Sequence, residues 1–466
     1  MKYDMLVIGM GPAGMALSAM GSAMGLKVLG IEKEKIGGEC LNCGCIPSKA
    51  LLKSAYIRNA VKETEKFGLT KTELPAPLKP FERIHDHIQY INREKTVKMF
   101  DKVDLVMGSG GARFIDSKTV EVGGDTYTAE KIYICTGTKP MIPPIPGIDT
   151  VDCLTNENLF DLKEMPDSMF IIGGGAIGCE MAQAFSRLGT KITMAHLDPH
   201  LLPLADEEAA GLLEEELKKE GIEIYNATAI NDVEKEGGYI TVKTDKGDFN
   251  AEKLLVAAGR RIYTDSLDLK KAGIKRDKKG IITDDYGRTN IKGVWAVGDC
   301  NGRYLLSHAA MHQGMLSLIN SMIPFRLKYT NYVVPWSVFT EPEVAQAGMT
   351  EDQLKKRGIK YEIIKVNYGD YGRTITDEKP VGFVKAAVSP FGKIYGVSIV
   401  GESASEIIHE YILAIQKNIR LHSIMLMQHV FPSIALLNKR IAEEWMMRKM
   451  NNGFIRRICR YMFRLF

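Results

Sequence analysis

Long apolar runs are absent from this 466-residue chain. None approaches the roughly 20 residues needed to span a bilayer, which argues against a transmembrane helix. Cysteine is sparse, at 8 residues, which excludes a disulfide-stapled secreted scaffold. Cys135, Cys153, Cys179 and Cys300 stand singly in apolar stretches and read as small core residues. A second CxxC is also missing, and a structural zinc site usually takes four protein ligands, so no metal site is expected. Acidic residues are lacking from Arg448 onward, where Arg448, Lys449, Arg456, Arg457, Arg460 and Arg464 occur with no counter-charge. Removing those six charges takes the formal net charge from +4 to −2, so the basicity sits in the tail. The body lacks the basic patch that a nucleic-acid partner requires. The opening "MKYDMLVIG" has too short an apolar part for a signal peptide and runs straight into a glycine motif. It reads as a first β-strand of a cytoplasmic protein.

Hydrophobic residues at 45% and charged residues at 25% are ordinary for a globular protein, and the length suits about three domains. "MLVIGMGPAG" reads as a buried strand followed by Gly9, Gly11 and Gly14, opening a helix of small residues. The next strand, "KVLGIE", ends in Glu32. Glycines in this pattern allow a tight turn and let a pyrophosphate approach the helix N-terminus, while the acid can bind ribose hydroxyls. The pattern recurs in "MFIIGGGAIGCEMAQ", with Gly173, Gly175 and Gly178, followed by the strand "TKITMAH". Two such units imply two nucleotides, as in a flavoprotein fed by a nicotinamide. The second strand ends at His196 rather than an acid, which removes a repulsion against the 2′-phosphate of NADP. NADPH is therefore expected ahead of NADH, with His196 and His200 able to add partial positive charge.

"GGECLNCGCIPSK" places Cys40, Cys43 and Cys45 within six positions. On a regular helix, residues three apart lie within disulfide reach, whereas five apart are separated by about 7.5 Å along the axis. Spacing alone favours a 40–43 pair or a metal.

Context points elsewhere. The stretch "GGECLNCGCIPSKALL", following the first nucleotide unit, resembles the FAD-dependent pyridine nucleotide–disulfide oxidoreductases, whose motif GGxCxxxxCxPxK is filled by Cys40, Cys45, Pro47 and Lys49. Four further segments resemble that family in order: "YICTGTKPMIPPIPG", "LLVAAGRR", "GVWAVGDC" and "VFTEPEVAQAG". The resemblance implies an α/β fold with two doubly wound, Rossmann-like nucleotide-binding domains and a C-terminal α+β dimerisation domain. It places FAD binding in residues 1–147 and 266–330, NAD(P) binding in 148–265, dimerisation in 331–447 and a basic amphipathic tail in 448–466. It further implies a redox disulfide between Cys40 and Cys45, with Cys45 toward the flavin, Cys40 toward the substrate, and a Lys49–Glu180 ion pair assisting. Gly38, Thr136, Gly137 and Asp299 join Glu32 and the first glycines as FAD contacts. Gly259 joins Gly173, Gly175, Gly178 and His196 on the NAD(P) side. A homodimer is implied, passing electrons to a small-molecule acceptor. Cys43 occupies a position that is ordinary in the family and reads as a bystander; an accessory third thiol is the alternative.

The chain departs from the family near its C-terminus. In "QHVFPSIALLNKR", Phe431 stands where the resemblance puts a catalytic histidine, and Leu436 where it puts that residue's glutamate. General acid–base help of this kind is worth roughly 10²–10⁴-fold. His429, two positions upstream of Phe431, reads as an orienting or buried residue with an accessory role as the alternative. An acceptor needing no histidine base, such as a metal ion or a quinone, is expected. Dihydrolipoyl dehydrogenase chemistry with altered acid–base groups is the alternative, and a low-turnover redox sensor is a third. The tail "NNGFIRRICRYMFRLF" has the pattern of a basic amphipathic helix, suited to peripheral contact with the inner face of a membrane or to packing on a partner subunit.

Overall fold

The computed structural model describes residues 2–466. Strand β1 (Lys2–Ile8) is buried from Met5 to Ile8, as expected of a strand with parallel neighbours on both sides. The glycine turn leads into helix α1 (Pro12–Ala23), with proline in its first turn, where the missing N–H costs no helical bond. Strand β2 (Val28–Glu32) lies parallel to β1. Asp104–Met107 extends the sheet beyond β2, and Asp125–Ile134 lies on the other side of β1. Two helices follow β2 in the chain, the short α2 (Gly38–Asn42) and the long α3 (Cys45–Lys62).

The second unit repeats the plan. Strand β3 (Ser168–Ile172), helix α4 (Ala176–Leu188) and strand β4 (Lys191–Ala195) form a βαβ unit, flanked by the parallel strands Glu223–Tyr225 and Lys253–Val256. An antiparallel ribbon of Thr138–Pro140 with Arg260–Ile262 ties the two units together. Val294–Ala296 then pairs with Asp125–Ile134, so the first sheet is completed by chain that returns after the second unit. Helix α5 (Ser307–Met322) packs closely on α1; a Cβ at Gly314 would come within 2.8 Å of the Ala13 carbonyl oxygen.

The third unit is a five-stranded antiparallel sheet covered by helices Ala404–Gln416 and α6 (Leu436–Met450). One apolar core joins all three units: Leu51 and Ala55 of α3, Met181 and Phe185 of α4, and Val338, Val344 and Val400 of the third sheet. Buried Lys385 of that sheet forms ion pairs with Asp206 of the second unit and with Glu351, which resists sliding between the units.

Arg448 donates to the Ile363 carbonyl and Lys449 pairs with Glu362, so α6 remains docked as far as Met450. The chain then turns, and the Asn452 side chain caps the last helix, α7 (Gly453–Leu465).

Candidate active site

The three cysteines do not lie on one regular helix. Helix α2 stops at Asn42, and Cys43 and Gly44 separate it from α3, whose first residue is Cys45. Gly44 permits this close turn because a Cβ there would lie 2.8 Å from the Glu39 carbonyl oxygen. The Asn42 side chain holds the turn by donating to the carbonyls of Ile36 and Gly38, at 3.0 and 2.8 Å. The spacing argument for a 40–43 pair fails for this reason: the thiols of Cys40 and Cys45 hydrogen-bond each other. Cys43 turns toward the ribbon side, with Asn156 Nδ2 at 3.9 Å from its sulfur, and burial pushes its thiol up to about 12.

The two paired thiols differ electrically. Cys45 is held well below the ordinary thiol range, first by the hydrogen bond from Cys40, then by the Ser307 hydroxyl and the Lys49 charge, against the cost of desolvation. Cys40 is pushed up by the same bond and by burial. The pair therefore favours a thiolate on Cys45 and a thiol on Cys40. Ser307 Oγ, in the first turn of α5, lies 3.3 Å from Cys45 Sγ.

Lys49, one helical turn along α3, meets Glu180 of α4 at 2.7 Å. The other Glu180 oxygen accepts from the Phe339 backbone N–H at 3.0 Å, and the Lys49 ammonium lies 4.3 Å from the centre of the Phe339 ring. Gln183 fixes this segment by exchanging hydrogen bonds with the Glu341 backbone, at 2.7 and 2.8 Å. The ion pair thus sits where all three units meet.

Beside the cysteines, Glu39 pairs with Arg260, whose Nε donates to Thr138 Oγ1 at 2.6 Å; that hydroxyl lies 3.4 Å from Asp299 Oδ2. Burial pushes the Asp299 carboxyl up to about 6, against the lowering effect of Arg260. Glu39, Asn156, Arg260 and Ser307 were not singled out from the sequence. Glu39 and Arg260 left a trace there, inside "GGECLNCGCIPSKALL" and "LLVAAGRR".

These features lie within a chain that matches the pyridine nucleotide-disulphide oxidoreductase family model over residues 3–314, and that family's dimerisation domain over residues 334–440. The protein belongs to the pyridine nucleotide-disulphide oxidoreductases. It is 34% identical over 445 residues to a dihydrolipoyl dehydrogenase of Thermus scotoductus, covering 93% of this chain and 95% of that one. A mercuric reductase of Staphylococcus aureus is 31% identical over 421 residues, covering 89% of this chain and 77% of the relative. The fold matches the HOCl-induced flavoprotein disulfide reductase RclA of Escherichia coli with a TM-score of 0.86 at 24% identity, over 95% and 99% of the two chains.

As an oxidoreductase of this family the protein uses FAD and NAD(P)H, and its residues fit both. In the first unit a Cβ on Gly14 would lie 1.9 Å from the Gly9 carbonyl oxygen, while the space around Gly11 is open to a pyrophosphate. Gly38 packs its Cα side against Gly11, and the buried Thr136 hydroxyl, next to Gly137, has no partner among the described residues. Glu32 ends β2 with one oxygen accepting from the Met10 N–H at 2.7 Å. In the second unit Gly173 and Gly178 make the same close approach, Gly175 is open, and Gly259 lies at the entry to the connecting ribbon.

His196 departs from expectation. Its ring is buried against Gly174, where a Cβ would lie 2.7 Å away, and burial lowers its pKa. Burial thus works against a positive charge on the ring at the end of β4; both ring nitrogens lack partners among the described residues. His200 is turned aside, its Nδ1 2.7 Å from the Leu201 carbonyl. His429 is held by Glu410 at 3.2 Å, with Asn438 bonding the same carboxylate oxygen at 2.9 Å, and it forms no hydrogen bond with Cys40 or Cys45 of its own chain. The Phe431 ring is exposed.

Proposed function

We propose that this protein is a cytoplasmic, homodimeric NAD(P)H-dependent reductase whose acceptor requires no histidine base, a metal ion or a quinone. The observation that carries this reading is Phe431, an exposed phenyl ring at the position where the family resemblance puts a proton-transferring imidazole. FAD, when bound, would supply the two-electron chemistry that links NAD(P)H to a Cys40–Cys45 disulfide. Opening the S–S bond leaves a thiolate on Cys45, held by the Cys40 thiol, the Ser307 hydroxyl and the nearby Lys49 charge. Protonated Cys40 is then the sulfur that the family resemblance turns toward the acceptor. Glu180 keeps the Lys49 ammonium in place, so positive charge stays next to the thiolate. Reduction of Hg²⁺ to the metal consumes the same two electrons, and reduction of a quinone to its quinol consumes them with two protons, one from the Cys40 thiol and one from solvent; neither asks for the shuttling of a proton from a dithiol substrate to an imidazole. The likeness to mercuric reductases supports a metal ion, although no cluster of three or more ligating side chains exists among the described residues.

A second reading has its own support. The sequence relatives include dihydrolipoyl dehydrogenases, and the His429–Glu410 pair is an acid–base couple only two positions from Phe431. Steady-state turnover of the FAD-loaded protein with NADPH and NADH separates the two, comparing lipoamide, Hg²⁺ and a short-chain quinone. Brisk metal or quinone reduction with lipoamide at least about 10²-fold slower supports the proposal. Fast lipoamide turnover that disappears in His429→Gln overturns it in favour of the second reading.

A further inference from the structure

The terminal helix takes no part in the site described above, and its surface is unlike the rest of the molecule. At 100° per residue, Arg456, Arg457, Arg460 and Arg464 fall within an arc of roughly 100°. Phe454, Ile455, Ile458, Cys459, Tyr461, Met462, Leu465 and Phe466 fill an arc of roughly 160° on the other side. No residue of α7 is buried; Phe454, Tyr461, Phe463 and Phe466 are among the most exposed aromatics of the chain, Phe466 at 97%. A helix of 13 residues is marginal in water by itself, so this one gains its stability from whatever covers the apolar side. It is also set off from α6, which stays docked on the third sheet through Arg448 and Lys449 while Asn452 starts α7 afresh.

We infer that α7 docks the protein on an anionic lipid surface, lying in the plane of the interface with its apolar arc in the acyl region. Two features choose lipid over a protein partner. The four arginines have no Asp or Glu anywhere between Arg448 and Phe466 to neutralise them, and an anionic leaflet supplies phosphates along the full length of the helix. The apolar arc is wide, continuous and rich in aromatics, and it needs a fluid cover more than a shaped groove. Arginine side chains at the edge of such an arc can bury their stems and keep the guanidinium in the headgroup layer. Among the described residues no helix is long and apolar enough to cross the bilayer, and the contact inferred for α7 lies in the plane of the interface. The inference stands whichever acceptor is reduced; a lipid-soluble quinone would then be reached without leaving the surface.

Co-sedimentation of the full-length, FAD-loaded protein with vesicles tests this. Phosphatidylcholine vesicles containing phosphatidylglycerol should bind it at least about tenfold better than phosphatidylcholine alone, at roughly fivefold per engaged arginine. The preference should fall as salt is added. Replacing Arg456, Arg457, Arg460 and Arg464 together by Gln should remove the preference, and Ile458→Ser with Met462→Ser should abolish binding, both with unchanged turnover of a soluble acceptor. Absence of binding to the anionic vesicles overturns the inference. So does dissociation of the dimer in the Ile458→Ser, Met462→Ser variant, which would assign the apolar face to the partner subunit.

Discussion

The two glycine turns of this protein have nearly the same backbone and different ends. Gly9 and Gly173 both adopt positive φ, at 95° and 123°, and both are overlain by a glycine five residues on. A Cβ on Gly14 or Gly178 would approach the preceding carbonyl oxygen to 1.9 or 2.1 Å. Beyond the helix the units diverge. Glu32 ends its strand as a carboxylate held open by the N–H groups of Met10 and Glu34, at 2.7 and 2.9 Å. His196 ends the equivalent strand as a buried ring whose pKa is lowered by that burial. The turn makes a nucleotide site; the residue at the strand end decides what charge the nucleotide meets there.

The largest effect that would break this comparison comes from the turns themselves. Gly14→Ala should yield protein without bound FAD, read from the visible absorbance, because the carbonyl of Gly9 cannot retreat from a methyl group. Gly178→Ala should keep its FAD and lose affinity for NAD(P)H, with KM rising roughly 10- to 100-fold for a strain of about 1–3 kcal/mol. Equal loss of FAD in both variants would mean that the two turns are not separate sites.

A smaller effect sharpens the contrast at the strand ends. His196→Glu should raise the ratio of kcat/KM for NADH over NADPH by about tenfold or more, since a carboxylate beside a 2′-phosphate sets like charges together. An unchanged ratio would place that phosphate away from the end of β4. The smallest effect concerns the cysteines. Cys45 ionises below the ordinary thiol range, so the long-wavelength thiolate–flavin band of the two-electron-reduced protein should persist at neutral pH and fade as pH drops through that lowered pKa. Ser307→Ala removes one hydrogen bond to the thiolate and should move the fading upward by roughly one pH unit, with Ser307→Thr restoring it. Cys45→Ser should remove the band at every pH.

Much of the fold was legible because its signals are local. A strand, three glycines at fixed offsets and a second strand lie within about 30 residues of chain, and both copies form as expected. The cysteine motif was legible only by resemblance. The physical argument from spacing assumed one helix through Cys40, Cys43 and Cys45, and the break at Cys43–Gly44 removes that premise. Glu39, Asn156, Arg260 and Ser307 were missed for another reason. Each is an ordinary polar residue whose partner comes from a distant segment: Arg260 meets Glu39 across 221 positions, and Ser307 meets Cys45 across 262.

By itself, the sequence determined that this chain holds two dinucleotide turns, a redox cysteine motif, a C-terminal segment without the expected histidine, and a helix with its arginines on one side. Each is a matter of residue type and spacing over a few turns of chain. Only the tertiary structure decided that the Cys45 thiol is lowered while that of Cys40 is raised, that burial lowers the His196 pKa, and that Lys49, Glu180 and the Phe339 backbone meet at one point. Those outcomes depend on burial and on electrostatics between segments from three separate units. Such interactions act over a few ångströms, and sequence distance says nothing about which groups come that close.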